Sequence, residues 1–326
     1  MRRAALLLIK AAVSICLLYL ALRSIHPGAL VARIKGADPV WIAAAVVLFA
    51  LQAVVVGLRW RMVARPLTGC LTALVAIELS FIGVFFSQVL PSTVGGDAVR
   101  IWVLARRGAG WKIAAYSVLV DRVAGVAALA IVVLACLPWT LRLLHDPLAQ
   151  SMLMLIGFGA LGASILFVGI GILRLSLLDR FAPTRHLIAA AQLAYKLCRT
   201  PTLTSGIAAC SFCGHGLSVT AAWMCARAVG APVDFVDLLF LLPPVILVST
   251  VPVSIAGWGV RESSMVMAFG AAGLAPADGL LLSILFGAAN FAVGAIGGLV
   301  WIMAGRKQLL RSGETAPLSS SPRPAP

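Results

Sequence analysis

The sequence predicts an all-α integral membrane protein with six full transmembrane helices and two re-entrant or broken-helix hairpins, eight hydrophobic segments in total. Of the 326 residues, 61% are hydrophobic and only 11% are charged, and the mean hydropathy is +1.04. A soluble domain of this length could not bury so much apolar surface, because much of any folded surface must still face water. The composition therefore excludes a soluble enzyme and a disordered chain, and indicates a protein that crosses a lipid bilayer several times.

Six uninterrupted apolar runs are long enough to cross a bilayer, which takes about 20 helical residues. These runs are residues 4–22, 40–58, 113–138, 151–173, 204–228 and 279–304. The first run follows Arg2 and Arg3 but precedes no small-residue cleavage site, so we interpret it as a helix and not as a signal peptide. Two further apolar stretches, residues 71–105 and 236–273, are interrupted by proline and glycine.

Clusters of lysine and arginine between the runs decide how the two interrupted stretches cross. The net charge is +15, and clusters such as Arg59, Arg61 and Arg65 are typical of loops on an anionic cytoplasmic leaflet. If each interrupted stretch enters the membrane and returns on the same side, every cluster and both termini are cytoplasmic. If each crosses once, eight ordinary kinked spans result and two clusters lie outside. The positive-inside rule favours the first topology. We expect the protein to lie in a bacterial inner membrane.

The chain is predicted to form one membrane domain over residues 1–311, in two halves of about 1–150 and 151–311. A Ser/Pro-rich stretch at residues 312–326 predicts a disordered cytoplasmic tail. Residues 178–200 carry apolar side chains at helical spacing, which predicts an amphipathic helix lying on the inner leaflet. We expect no nucleic-acid partner, because the cations are not organised into a basic-aromatic module.

The two interruptions resemble each other in sequence. PSTVGGDAVR at residues 91–100 and PVSIAGWGVR at residues 252–261 share Pro, Gly, Val and Arg at matching positions. One segment would enter from the cytoplasm and the other from outside, which makes an inverted repeat of the kind found in secondary transporters. Proline and glycine end a helix and leave backbone groups unpaired, and a membrane tolerates this only around a ligand- or water-filled cavity. The helix N-termini exposed there would attract an anion.

Ionisable side chains at and near these breaks complete a predicted lipid-binding site. Each would be costly if it faced lipid, so we expect each to face the protein interior and a partner. Arg100 and Arg261 suit a phosphate, because a guanidinium group binds an oxyanion through two hydrogen bonds. The candidate substrate-binding residues are Glu78, Gly95, Gly96, Asp97, Arg100, Asp121, Arg122, Gly257, Gly259, Arg261 and Glu262. An alternative is that Asp97 pairs with Arg100, and Arg261 with Glu262, only to hold the hairpins together.

The sequence contains three short polar motifs: GGD-x-x-R at residues 95–100, Asp121-Arg122, and G-x-G-x-R-E at residues 257–262. Together they resemble the signature of the lysylphosphatidylglycerol synthase transmembrane-region family, also called the flippase-like domain. The resemblance covers nearly the whole chain. The residues that match family motif positions are Asp97, Arg100, Arg122, Arg261 and Glu262. The resemblance implies the transport half of the bifunctional members, whose membrane domain moves aminoacylated phospholipid between leaflets. We expect this chain to lack the cytosolic synthase domain of those members, so their aminoacyl-transfer activity is not carried over.

The paired breaks and the resemblance together predict an inner-membrane polar-lipid translocase. Its substrate would be a phospholipid or lipid-linked intermediate with an anionic or zwitterionic head group. We expect no cofactor and no metal, and the sequence shows no catalytic constellation. Two alternatives stay open. The carboxylates could serve a membrane-embedded transferase, or the chain could be an accessory subunit that partners a lipid-synthesis enzyme in a lipid, glycolipid or hopanoid pathway.

Overall fold

The computed structural model describes residues 27–69, 71–90, 95–173, 182–251 and 257–311, together with residues 12, 14, 16 and 19. Within these ranges the chain forms helices and no strand. Apart from the four isolated residues, the predicted first span at 4–22 lies outside the described residues, as do the break segments 91–94 and 252–256 and the tail at 312–326.

Eleven helices make up the described part of the chain. They are α1 (Pro27–Lys35), α2 (Pro39–Thr68), α3 (Ala73–Val89), α4 (Gly95–Leu104), α5 (Trp111–Leu143), α6 (Pro147–Ile170), α7 (Ala182–Cys198), α8 (Pro201–Ala228), α9 (Phe235–Ser249), α10 (Val260–Ala271) and α11 (Pro276–Arg311). A π-helical turn, Ala105–Ala109, joins α4 to α5. By length and composition, α2, α5, α6, α8 and α11 can cross a membrane. These five helices coincide with five of the six apolar runs predicted to span.

Asp-Pro pairs start two of the long helices. The side chain of Asp38 accepts a hydrogen bond from Val40 N (2.8 Å) at the start of α2, and Asp146 accepts one from Leu148 N (2.9 Å) at the start of α6. A carboxylate at this position satisfies a backbone N–H that has no partner inside the helix. The proline that follows is already set at helical geometry and has no N–H to satisfy.

Each interrupted stretch forms two short helices separated by a break. In the first, α4 folds back along α3, and a Cβ atom at Gly96 would overlap the carbonyl oxygen of Gly83. In the second, α10 packs closely on the following helix, α11. A Cβ atom at Gly279 on α11 would lie 2.8 Å from the carbonyl oxygen of Met265 on α10. Only glycine permits backbones to approach so closely at these crossings.

The two helix pairs open at opposite ends of the bundle. At one end, Asp38 N–H donates to the carbonyl of Ala228 (2.8 Å), so the start of α2 lies beside the end of α8. His145 N–H donates to the carbonyl of Ala271 (3.0 Å), so the loop between α5 and α6 lies beside the end of α10. At the other end, Arg61 Nε donates to the carbonyl of Leu71 (3.3 Å), just before α3 begins. The α3–α4 pair therefore opens at this second end, and the α9–α10 pair opens at the first.

The two ends differ in charge. The first, which we call the aspartate end, carries Asp38, Asp146, Asp234, Asp237 and Asp278 with Arg33, Lys35, Arg142 and Arg227. The second, which we call the cationic end, carries Arg61, Arg65, Arg106, Arg107, Lys112, Arg185, Lys196 and Arg199. One aspartate-end pair, Arg33 with Asp278, ties α1 to the start of α11.

Helix α7 corrects one expectation. It forms where the sequence predicts an amphipathic helix, but its apolar side packs on protein instead of on lipid. Ala190, Ala191 and Ala194 are buried against Val63 and Phe167, on α2 and α6. Alanine side chains are small enough to let the helix backbones approach closely, so this face is covered by the bundle.

The close crossing of α3 and α4 generates a stability prediction. Gly96→Ala places a methyl group against the Gly83 carbonyl, and we expect it to lower the free energy of unfolding by about 1–3 kcal/mol. The matched control is Gly159→Ala on α6, where a Cβ atom would meet nothing within 4 Å. This control should be neutral or slightly stabilising, because alanine favours a helix more than glycine does. Chemical denaturation in detergent compares the two, and equal stabilities would contradict the crossing.

Candidate functional site

Buried charged side chains form two separate networks. The first, which we call the Asp97–Asp121 network, joins these two aspartates to Arg59, Arg100 and Arg122. The second, which we call the Arg261 network, joins Arg261 to Glu262 and Ser283. Charges inside a membrane protein require partners of this kind, because an unpaired ion in hydrocarbon is strongly unfavourable.

Asp121 is the centre of the first network. It is fully buried, and its two carboxylate oxygens face different arginines. Arg59 Nε donates to Oδ1 (2.8 Å), and Arg100 Nη2 lies 3.4 Å from Oδ2. Arg59 also donates from Nη1 to Ser211 Oγ (3.3 Å). The Asp121 carboxylate thus connects α2, α4 and α5, and Arg59 extends the connection to α8.

Asp97 binds the third arginine through two hydrogen bonds. Arg122 donates from Nε to Oδ2 (2.7 Å) and from Nη2 to Oδ1 (3.0 Å), while Arg100 Nη1 lies 3.6 Å from Oδ1. Paired N–H···O bonds of this geometry are among the stronger polar contacts in proteins. With three arginines and two aspartates, the network carries one net positive charge. The Arg122 side chain is 52% exposed, which makes it the most accessible member.

Arg100 is enclosed on all sides. Its residue exposure is 5%, and its guanidinium carbon lies 4.2 Å from the ring centroid of Trp60. A cation over an indole face is attracted by the electrons of the ring. Arg100 Nε and the nearby hydroxyl of Ser80 have no hydrogen-bond partner among the described residues. Arg100 therefore links α4 to α2 and α5.

The Arg261 network lies at the start of α10. Arg261 donates to Glu262 Oε1 from Nη2 (2.6 Å) and from Nε (3.1 Å), and Nε also lies 3.0 Å from Ser283 Oγ. The other Glu262 oxygen accepts from the backbone N–H of Gly259 (2.7 Å), so the carboxylate also caps the helix. The Arg261 guanidinium lies 5.0 Å from the ring centroid of Trp258.

A cavity of about 190 Å³ lies beside Arg261. Its polar lining comes from Gln52 on α2, Ser218 on α8, Ser249 on α9, Asn290 on α11 and Arg261 itself. The positions of Gln52, Ser218 and Asn290 near the midpoints of their helices set the cavity at the middle depth of the bundle. Gln52 Nε2 donates to Ser218 Oγ (2.5 Å), so two of these groups already contact each other.

The structure divides the predicted site residues between these two networks. Four of them, Asp97, Arg100, Asp121 and Arg122, meet in the first network, and Arg261 and Glu262 meet in the second. Arg100 and Arg261 share no contact, and of these two arginines only Arg261 lines the 190 Å³ cavity. Both pairs of the alternative interpretation, Asp97 with Arg100 and Arg261 with Glu262, are present. Glu78 is half-buried on α3 and belongs to neither network.

The four predicted glycines have backbone roles. A Cβ atom at Gly95 would lie 2.7 Å from the carbonyl oxygen of Phe86, so this residue and Gly96 allow α4 to contact α3. Gly257 and Gly259 have φ angles of +80° and +87°, which residues other than glycine rarely adopt. The second pair therefore shapes the turn that presents Arg261.

Arg59 is the main residue that the sequence interpretation missed. It was assigned to a cytoplasmic cluster with Arg61 and Arg65, but it is buried and binds Asp121. A signal was present, because the apolar residues Trp60 and Val63 follow it, so α2 does not end there. Gln52 and Ser218 were also missed, although each is a polar residue within a long apolar run.

Within the described part of the chain, no group of His, Cys, Asp and Glu is arranged to hold a metal ion. His215, which follows Cys210 and Cys213 on α8, lies 3.0 Å from the carbonyl oxygen of Gly125 through Nε2. That contact ties α8 to α5 and belongs to helix packing.

Removing the shared carboxylate should destabilise the protein strongly. Asp121→Asn leaves Arg59 buried without a counter-ion and leaves Arg100 only its 3.6 Å contact with Asp97. Breaking a buried pair in this way costs about 3–5 kcal/mol. Adding Arg59→Gln to Asp121→Asn should restore part of the loss, because it removes the uncompensated charge. The matched control, Asp146→Asn, changes an exposed helix-capping aspartate and should leave the stability nearly unchanged, because asparagine caps a helix about as well as aspartate does. Equal losses for Asp121→Asn and Asp146→Asn would contradict the central role of Asp121.

Comparison with known proteins gives one family match. A family described as the lysylphosphatidylglycerol synthase TM region matches residues 7–298 of the chain. No individual curated protein matches the sequence. The match covers all the described helices from α1 to α10 and most of α11, including both networks. The chain is therefore a member of the lysylphosphatidylglycerol synthase transmembrane-region family.

Proposed function

We propose that this protein translocates a polar lipid between the two leaflets of a bacterial inner membrane. Membership of the family supports a membrane protein with a lipid-related function. The observation that carries the finer proposal is the cavity at the middle depth of the bundle, which Arg261 lines beside the broken α9–α10 pair. Secondary transporters bind their substrates at such positions, where discontinuous helices meet near mid-membrane.

The proposed topology has six spans and two hairpins that enter from opposite faces, with both termini cytoplasmic. It is supported by the opening of α3–α4 at the cationic end and of α9–α10 at the aspartate end. The charge distribution supports the orientation, because loops rich in lysine and arginine are retained in the cytoplasm. The cationic end therefore faces the cytoplasm in this proposal.

The cavity suits a head group and not a whole lipid. Its volume of about 190 Å³ is below the usual range for sites that enclose a drug-sized ligand. Among the described residues, no hydrogen bond involves Arg261 Nη1, so this nitrogen is available to a phosphate oxygen. Gln52 and Asn290 supply amide groups for a polar or zwitterionic head group, while the acyl chains stay in the bilayer.

The Asp97–Asp121 network lies between the cavity and the cationic end. Along α2, Arg59 lies seven residues after Gln52, about 10 Å nearer to that end. Along α8, Ser211 lies seven residues before Ser218 and contacts Arg59. Exchange of the head group with the cytoplasmic leaflet would require α3–α4 to move against α2 and α5, with rearrangement of the contacts of Asp97 and Asp121.

Substitution of Arg261 tests the proposed substrate contact. In proteoliposomes with labelled phospholipids, Arg261→Gln should slow transbilayer movement by roughly 10- to 100-fold, because a hydrogen bond from a charged group contributes about 1.5–3 kcal/mol. Arg261→Lys keeps the charge but loses the planar group, and should retain an intermediate rate. Gln52→Leu should also slow movement while leaving the Arg261–Glu262 pair intact.

The matched control is Arg142→Gln, which removes a cation near the aspartate end and far from the cavity in sequence and depth. Unchanged lipid movement in folded Arg261→Gln and Gln52→Leu proteins would contradict the proposed substrate site. If the purified protein instead forms a new lipid product, it is a transferase. If it moves no lipid but co-purifies with a synthesis enzyme, it is an accessory subunit.

Cysteine labelling tests the topology separately. In a background without native cysteines, Arg106→Cys and Ala275→Cys place single thiols at the cationic and aspartate ends. We expect a membrane-impermeant thiol reagent to label Ala275→Cys from outside intact spheroplasts, and Arg106→Cys only after permeabilisation. Labelling of both thiols from outside would contradict the topology. The reverse pattern would show that the cationic end faces the outside.

A further inference from the structure

A second cavity, of about 230 Å³, lies at the cationic end, away from both charge networks. Its walls are the end of α2, the first turns of α5 and one face of α7. We propose that this cavity binds the head group of an anionic phospholipid of the cytoplasmic leaflet. The inference does not depend on lipid translocation, and it assigns the cavity a resident or regulatory lipid instead of a transported one.

The wall formed by α7 is a stripe at helical spacing. Ala189, Gln192, Leu193 and Lys196 line the cavity, and their spacing of three and four residues sets them on one side of the helix. The neighbouring stripe of alanines is buried against α2 and α6. Helix α7 is therefore fixed in rotation, and Lys196 is held beside the cavity by the packing of this neighbouring stripe.

The lining has one apolar and one polar part, as an amphiphilic ligand requires. Leu67 and Ile113 supply apolar contacts from α2 and α5, while the amide of Gln192 can donate to phosphate oxygens. The hydroxyl of Tyr116 lies 2.6 Å from His186 Nδ1, a contact that orients the ring at the cavity wall.

Charge selects an anion for this site. Lys196 forms no ion pair with any described residue. The described carboxylates lie at the aspartate end or in the two networks, with the exception of Glu78 on α3. Arg185 on α7 and Arg199 directly after its end add to the positive potential. A cation at the membrane surface with no counter-ion among the described residues attracts acidic lipids.

Native mass spectrometry of the full chain in detergent tests the site with phosphatidic acid and phosphatidylcholine of identical acyl chains. We expect a preference for phosphatidic acid that Lys196→Gln lowers about fivefold, as expected for one lysine near a membrane surface. Ala189→Phe, which fills the cavity without a change of charge, should lower it as well. The matched control Lys112→Gln removes an exposed lysine from the same end and should bind as the unmodified protein does.

Three results would overturn the proposal. Equal binding of the two lipids would remove the selection for charge. Equal losses of lipid preference in Lys196→Gln and Lys112→Gln would show that the cationic end attracts acidic lipids in general and that the cavity has no specific role. Displacement of the lipid by glycerol 3-phosphate at comparable concentration would show that the site takes a soluble phosphate and that the apolar wall contributes nothing.

Discussion

A charged side chain within a bilayer is stable only beside a partner of opposite charge, and this constraint organises the centre of the protein. Asp121 satisfies it for two arginines at once, from α2 and from α4, and so fixes the first hairpin against the spanning helices. Glu262 satisfies it for Arg261 and also caps α10, which fixes the start of the second hairpin. The remaining helices pack around these two fixed points.

The two networks obey the same constraint but suit different roles. In the first, each arginine has a carboxylate partner, and Arg100 is enclosed against Trp60. In the second, one carboxylate serves one arginine, and the same arginine lines a cavity at the middle depth of the bundle. The two segments are similar in sequence, while their two arginines differ in surroundings: Arg100 links helices, and Arg261 lines a cavity.

Sequence reasoning recovered what depends on local pattern. Apolar runs predicted the five long helices, because length and hydropathy are properties of a continuous segment. Proline and glycine predicted both breaks, and the pairs Asp97–Arg100 and Arg261–Glu262 were foreseen because their members are close in sequence. The contact of Arg59 with Asp121 was not foreseen, since these residues are 62 positions apart and a cation after an apolar run is ordinarily a loop residue. For the same reason neither cavity could be predicted, because each is lined by several distant helices.

The account depends on a head group reaching Arg261 from within the bundle. A single-particle structure in nanodiscs of native phospholipids tests this most directly. We predict a phosphate within about 3 Å of the Arg261 guanidinium, between Gln52 and Asn290, with the two hairpins open toward opposite faces of the bilayer. A structure in which side chains fill this cavity, and head groups lie only outside the helices, would contradict the account.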